Sequence, residues 1–364
     1  MATESQKEFE DYRQTYTDIK ELYTQSDQWI GKITTVCGWI KLFRVSGGKG
    51  KSIGFVRLSD GSNLETLQII YDTKLLSEDN KEYFNDLIKR GKTGMSIMTT
   101  GLIVKSPKPK QPIEMQAHTY QILGDVMDAD TYPVSKNEHT LEYLRTVPHL
   151  RLRTDTCSSI VRISSQVNFA MAKYFNKHGF IKIKIPLVTD NQCESGANPF
   201  RITTLIGNDN VDSIPTKDGM IDYEKDFFKK PVFLTVSGQL HLEAFASGLS
   251  KVFCETIAFR AEPSTGPLYL SEFLMVELEA AFITLEENMT INEGCIKYCI
   301  VQVLKNCYED LEFLQQKFTP NLIETLKKYA TKPIMACVKV LRLYGTHKVI
   351  IIPWLYITHR IYYI

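Results

Sequence analysis

In the stretch "AFRAEPSTGPLYLSEF", residues 258–273, Arg260 and Glu262 stand two apart at the end of one apolar run, and Glu272 and Phe273 open the next. Successive side chains of a β-strand point to opposite faces. Arg260 and Glu262 therefore share one face, and Phe273, Met275, Glu277 and Glu279 share a face on the return strand. If the two runs pair, one face of the hairpin gathers an arginine, carboxylates and an aromatic ring, which is costly unless a polar ligand is held there. The connection "PSTGPLYL" is longer than the usual hairpin loop of about two to five residues, and long loops on rigid strands often carry function. On these residues alone, an arginine and a glutamate two apart are more often an ordinary surface pair.

The elements that must position them occupy a chain of 364 residues, enough for two domains. A formal charge of +1 gives no global basic field, so a nucleic-acid partner would have to be held by local patches. The eight cysteines are scattered without a CxxC pair or zinc spacing and read as reduced thiols of an intracellular protein. The acidic N-terminus lacks the apolar core of a secretory signal, and the most apolar run, "KVIIIPWLYI", is too short to span a bilayer and contains Pro353. The expected location is cytosolic.

Residues 29–125 alternate apolar and polar positions in five short runs, with one helical stretch, "LSEDNKEYFNDLIKRGK", between the third and fourth. That is the pattern of a Greek-key barrel of the OB type, a frequent oligonucleotide binder, although such a barrel can also be a mere spacer. Residues 1–28 read as an N-terminal extension and 126–155 as a hinge. From residue 156 the period changes: Ile160, Ile163, Val167, Ala170, Met171 and Tyr174 recur at three and four, predicting a long amphipathic helix that ends at Gly179 and enters a strand "IKIKIPLVT". Strands and helices then alternate irregularly to about residue 333, predicting an α+β domain around an antiparallel sheet. Residues 325–364 contain no acid, where composition would give about five, so 334–364 is expected to be a divergent tail of different origin, such as a frameshift or misread exon would produce.

Set beside known patterns, "FRAEPSTGPLYLSEFLMVELEAAF" resembles motif 2 of the class II aminoacyl-tRNA synthetases, and the long helix with "GFIKIKIP" and Pro186 resembles motif 1. "YPVSKNEHTLEYLRTVPHLRLRT", "CESGANPFRITTL" and "FLTVSGQLHLEAFASGLSKVF" narrow the resemblance to the aspartyl, asparaginyl and lysyl subgroup, closest to its asparagine-specific members, over roughly residues 28–333. The resemblance implies ATP-dependent activation of an amino acid to its adenylate, with Mg²⁺, then transfer to the 3′ end of tRNA(Asn). It implies that Arg260 and Glu262 are catalytic: Arg260 holds the α-phosphate and Glu262 contacts the adenine end, while Phe273 stacks on the adenine ring. Glu194 would grip the substrate ammonium with Gln239 beside it. Aspartyl enzymes carry a lysine where Leu242 stands here, next to Glu243; a carboxylate accepts from an amide and repels an aspartate, so the pocket favours asparagine. Read alone, Gln239 and Glu243 are an exposed i,i+4 helical pair.

In the barrel, Phe55 matches the aromatic that stacks on the middle anticodon base, with Arg44 and Gln68 placed to read it; from sequence Phe55 is equally a core residue. "RVSGGKGKS" and "KSPKPK" add local positive charge for phosphates. The motif 1 segment, about residues 157–188, implies a homodimer, because apolar residues such as Ile160, Phe169 and Tyr174 lie on more than one side of the helix. There are two departures: Leu268 and Tyr269 replace the usual Arg-His pair of the motif 2 loop, and no glycine-rich motif 3 occurs before Ile364. The class II sheet is therefore expected to be incomplete, its Mg²⁺ ligands missing and its catalysis impaired. The other readings are a non-catalytic tRNA-binding paralogue and a related adenylate-forming ligase, such as an aspartyl-tRNA synthetase or an asparagine synthetase.

Overall fold

The structure, a computed structural model, describes residues 15–47, 53–72, 89–109, 111–128, 131–134, 138–193, 198–207, 210–263 and 270–332, together with residues 84 and 87. Glu194, Leu268, Tyr269, the tail 334–364 and much of the helix expected between the third and fourth strands lie outside these residues. The chain divides into two compact units between Ile160 and Val161.

The first unit is built on a closed barrel of five strands in the order β1-β2-β3-β5-β4. These are β1 (Ile33–Ser46), β2 (Ile53–Ser59), β3 (Leu67–Asp72), β4 (Ser96–Lys105) and β5 (Ile113–Gly124). Period-two alternation puts Val36, Ile40, Val56, Leu58, Ile69, Tyr71, Ile97, Ile103 and Met115 inside, where they are buried. Phe84 and Leu87 join that core, and Phe84 stacks on Tyr71 at 5.9 Å. Helix α1 (Ile19–Thr24) sends Ile19 and Leu22 into the barrel core, and Asp60 Oδ2 accepts from the Ile19 N–H at 2.7 Å. Helix α2 (Ser26–Trp29) leads into β1.

A bulge in β1 between Ile40 and Leu42 shifts the register at Lys41. The Lys41 ammonium donates to the Arg153 carbonyl at 2.6 Å and to Asp155 at 2.8 Å. The segment expected to be a hinge has a small core of its own, formed by Val134, Leu144 of helix α3 (Leu141–Thr146), Leu150 and Cys157. Arg153 packs over Trp39 at 4.9 Å and donates to Gly94 O and Tyr132 Oη.

In the second unit, β12 (Lys251–Phe259) and β13 (Glu272–Ala280) pair antiparallel along their whole length, and β6 (Ile181–Lys182) adds parallel to β12. The expected single strand "IKIKIPLVT" is broken instead. Pro186 has no N–H for a ladder, so the chain leaves β6 and re-pairs as β7 (Val188–Thr189) in a second sheet with β8 (Arg201–Ile202) and β11 (Val232–Leu234). A small hairpin, β9 (Thr216–Lys217) and β10 (Met220–Ile221), lies between β8 and β11 in the sequence.

The β12–β13 hairpin is covered on both faces. One face packs Val252 and Cys254 against Ile183, Leu242 and Ala246, the last two from helix α5 (Gln239–Leu249). The other packs Phe253, Val276 and Leu278 against Ala170, Tyr174 and Phe175 of helix α4 (Asp155–Lys177) and Cys295 and Cys299 of helix α6 (Leu285–Asn306). Gly179, at φ +80°, ends α4 as expected. Gly294 lets α6 approach Tyr174, whose hydroxyl oxygen would lie 2.3 Å from an added Cβ. Helices α7 (Tyr308–Lys317) and α8 (Leu322–Thr331) complete the unit. Among the described residues no helix is long and apolar enough to cross a membrane.

Candidate functional site

The hairpin delivers Arg260 and Phe273 to one place. Ala258 pairs with Phe273 and Phe259 with Glu272, and the Arg260 N–H continues the ladder to the Ser271 carbonyl at 2.9 Å. Arg260 thus lies one pleat beyond Ala258 on the face of Phe273, and its guanidinium carbon lies 5.4 Å from the Phe273 ring centre. A cation held over a ring has its plane and its outward donors set before any ligand arrives.

Glu262 departs from the expected shared strand face. β12 ends at Phe259, and the Ala261 N–H turns to the Asn198 carbonyl at 2.7 Å. The exposed Glu262 carboxylate accepts from the Asn198 N–H at 3.1 Å, so it braces the chain at Asn198. The cause is pairing partner: past Phe259 the chain bonds to residue 198 as well as to β13.

The same hairpin face holds a carboxylate to which the sequence assigned no role. Glu277 accepts from the Ser237 hydroxyl at 2.5 Å and from the Gly238 N–H at 2.7 Å. Ser237 Oγ in turn accepts from the Gln239 N–H at 3.2 Å, and Thr235 Oγ1 donates to the Ser237 carbonyl at 2.8 Å. A charge-assisted pair therefore fixes the turn from which α5 starts with Gln239. Strand alternation already put Glu277 on the Arg260 face; its partner in the turn was invisible to any local pattern. Cys254 lies behind this turn, its thiol pushed up to about 12 by burial and then by the nearby charge of Glu277, so it is a neutral packing group. A Cβ on Gly238 would meet Ile185 Cδ1 at 2.8 Å, Cys254 Sγ at 3.0 Å and Glu277 Oε2 at 3.1 Å.

On α5, Gln239 Nε2 donates to Glu243 Oε1 at 3.1 Å, joining the two expected substrate residues as an i,i+4 pair with Glu243 exposed. Leu242 faces the sheet. It is 1% exposed and packs with Ile183, Ala246, Val252 and Cys254, because helical periodicity turns it towards the sheet while Glu243 turns to solvent. The expected choice of asparagine relies on Glu243 and on the absence of a cation at 242; Leu242 is core, and Glu243 beside it is exposed. Among the described residues no group of three or more His, Cys, Asp or Glu side chains could hold a metal ion.

The barrel carries the second candidate surface. Arg44 pairs with Phe55, Phe55 with Ile70, and Arg57 with Gln68, which places Arg44, Phe55, Arg57 and Gln68 on one outer face. Gly54 and Val56, the neighbours of Phe55, are buried, whereas Phe55 itself is half-buried on the outside. The register puts Phe55 on the outer face of the barrel and not in its core. Gln68 is nearly buried because its Nε2 donates to Glu114 Oε2 at 3.2 Å, a carboxylate that also accepts from Ser106 and Gln111.

Known protein families match both halves of the chain. The family profile described as tRNA synthetases class II (D, K and N) matches residues 140–346, and that of the OB-fold nucleic acid binding domain matches residues 34–123. The first match runs past residue 333, where similarity was expected to stop. The chain is 37% identical over 293 residues to an asparagine–tRNA ligase of Borrelia garinii, covering 80% of this chain and 60% of the relative. It is 38% identical over 317 residues to one of Cytophaga hutchinsonii, covering 87% and 65%. The chain thus spans about 60% of the length of the curated relatives it matches. Among solved structures, an asparaginyl-tRNA synthetase from Pyrococcus horikoshii complexed with asparaginyl-adenylate has the same fold, with a TM-score of 0.66 at 23% identity over 87% of this chain and 63% of that one. With a five-stranded barrel ahead of a hairpin that carries its arginine against an aromatic ring, and with a family match over residues 140–346, this chain belongs to the class II tRNA synthetases of the aspartyl, lysyl and asparaginyl group.

Proposed function

We propose that this chain is built for asparagine–tRNA ligation: ATP-dependent activation of asparagine, then transfer to tRNA(Asn). The observation that carries the reading is the Arg260–Phe273 pair, which offers a fixed guanidinium and a ring on one hairpin face. In the first step a carboxylate oxygen of the amino acid attacks the α-phosphorus of ATP, the bond to the bridging oxygen breaks, and pyrophosphate leaves. Arg260 receives the charge growing on the α-phosphoryl oxygens, and Phe273 stacks on the adenine, whose outer edge Glu262 contacts. Gln239 and Glu194 take the substrate ammonium, and Glu243 accepts from the substrate amide. In the second step a ribose hydroxyl at the tRNA 3′ end attacks the activated carbonyl and AMP leaves. Mg²⁺, which the family uses, would shield the phosphate charges; no protein ligand for it is assigned here.

Two further parts belong to this reading. Phe169, on α4, is 72% exposed, and Ile181, Leu187 and Val188 are exposed along the strand segments that follow, which supports a homodimer through residues 157–188 in the cytoplasm. The barrel face with Arg44, Phe55 and Gln68 supports reading of the anticodon, one base stacking on Phe55.

Asparaginyl sulfamoyl adenosine, a stable mimic of the adenylate, tests the site directly. It should raise the melting temperature of this chain, the aspartyl counterpart should not, and Arg260→Ala should lose the response. Equal or greater stabilisation by the aspartyl analogue would overturn the choice of asparagine, and an unchanged response in Arg260→Ala would remove the arginine from the site.

A further inference from the structure

Arg57 lies on the outer barrel face, and neither the sequence nor the proposed anticodon contacts assign it a role. It sits on β2 one pleat from Phe55 and directly across from Gln68 on β3. The residues on either side of it, Val56 and Leu58, are fully buried, so the strand pleat turns Arg57 outward, and it is exposed. Along a strand two residues span about 6.6 Å, so the foot of the Arg57 side chain is about that far from the foot of the Phe55 ring.

Three packed arginines of this chain are pinned. Arg260 lies over Phe273, Arg153 lies over Trp39 with two acceptors, and Arg162 forms a fork with Asp310. Arg57 lacks such a clamp among the described residues: no carboxylate, ring or carbonyl holds its guanidinium. The difference decides what it can recognise. A guanidinium already held in plane is preorganised to meet the two acceptors of a base edge at once. A mobile, solvated guanidinium instead meets a phosphate, whose oxygens accept from many directions and whose charge is present at every nucleotide.

We propose that Arg57 is a phosphate-contacting residue of the RNA-binding face, holding the backbone phosphate next to the nucleotide whose base stacks on Phe55. The proposal rests on the barrel-face reading above and adds a contact that positions the strand without reading sequence. A stacked base fixes only its own plane; a phosphate contact one pleat away fixes the direction in which the backbone runs across the strands. Gln68, tied at one end to Glu114, then meets the base edge in a single register.

The test is the affinity of the full chain for an RNA stem-loop bearing the asparagine anticodon, measured from about 50 to 200 mM salt. Arg57→Ala should weaken binding about three- to tenfold at the lowest salt and flatten the slope of log affinity against log salt by about 0.7, the single-strand value for one phosphate contact. The loss should be the same for a stem-loop with the middle anticodon base changed, and Arg57→Lys should restore most of it. Phe55→Ala serves as the reference. If Phe55→Ala weakens binding while Arg57→Ala changes neither affinity nor slope, Arg57 is not a contact. A loss confined to one anticodon sequence would overturn the phosphate assignment in favour of base reading. If both variants bind as tightly as the parent, the barrel-face reading itself fails.

Discussion

The Arg260 guanidinium carbon lies 5.4 Å from the centre of the Phe273 ring, with Phe273 on β13 and Arg260 directly after the end of β12. The ring therefore does two things: it presents a flat surface and it holds a cation in place. Arg260→Ala should lower asparagine-dependent ATP–pyrophosphate exchange by about 10²–10³, the loss found for one preorganised donor to developing charge. Arg260→Lys should recover only part, since an ammonium has neither the planar fork nor the stacking surface. Phe273→Ala should raise the KM for ATP and also lower kcat, because the arginine loses its support. A change in KM alone would show that the ring serves only the adenine.

Glu277 should prove structural as well as local to the site. Its carboxylate takes donors from both Ser237 and Gly238, and hydrogen bonds to a charged group contribute about 1.5–3 kcal/mol each. Glu277→Ala should cost about that much stability by urea unfolding, with Glu277→Gln intermediate because only one amide atom can still accept. Gly238→Ala should destabilise too, since the new methyl meets Cys254 and Glu277 on a rigid strand. A neutral effect of Glu277→Ala would mean that water replaces the carboxylate in holding the turn.

Alternation in the sequence was enough to place Arg260 and Phe273 on one face, and the five runs between residues 29 and 125 were enough for the barrel, because both depend on a period of two that burial enforces. Phe55 could not be decided from its own run. Only the neighbours across β1 and β3 show which face of β2 is closed, and pairing between distant strands is not a local signal. The burial of Leu242 was likewise not a local signal: its neighbour Glu243 is exposed, and only the packing of α5 on the hairpin turns position 242 inward. The break at Pro186 was legible in principle, since proline cannot donate to a ladder, but the apolar residues around it outweighed that signal. The bracing of the Ser237 turn by Glu277, forty residues apart, lay beyond any window of sequence.

The Arg162–Asp310 pair ties α4 to α7 with both side chains mostly buried, 17% and 8% exposed. Arg162 Nε meets both carboxylate oxygens, at 3.2 and 3.1 Å, and Nη2 meets Oδ1 at 2.7 Å. Removing one partner leaves the other charge buried, so Arg162→Ala should cost about 3–5 kcal/mol. The double variant Arg162→Met with Asp310→Leu should cost less than either single change. A double-mutant cycle in urea gives the answer, and additive losses would show that the two charges do not depend on each other.

Asp226 predicts how the loop after β8 responds to acid. Its carboxylate accepts from the Thr204 N–H at 2.9 Å, the Thr203 hydroxyl at 2.7 Å, the Thr204 hydroxyl at 2.8 Å and the Phe227 N–H at 2.7 Å. These donors, the Thr204 N–H first, hold its pKa well below the usual carboxylate range. A carboxyl whose pKa is lower in the folded chain than in the unfolded one contributes stability that is complete above the ordinary value of about 4, and that stability is lost as pH falls towards the folded value. The parent should therefore lose stability steeply as pH drops from about 5 to below 3. Asp226→Asn cannot titrate, and it turns an NH₂ group towards a ring of donors. It should be less stable than the parent at pH 7, and its stability should fall less between pH 5 and pH 3, so the two curves converge in acid. Urea midpoints at each pH measure this directly, and parallel curves would show that the group controlling the acid limb is not Asp226.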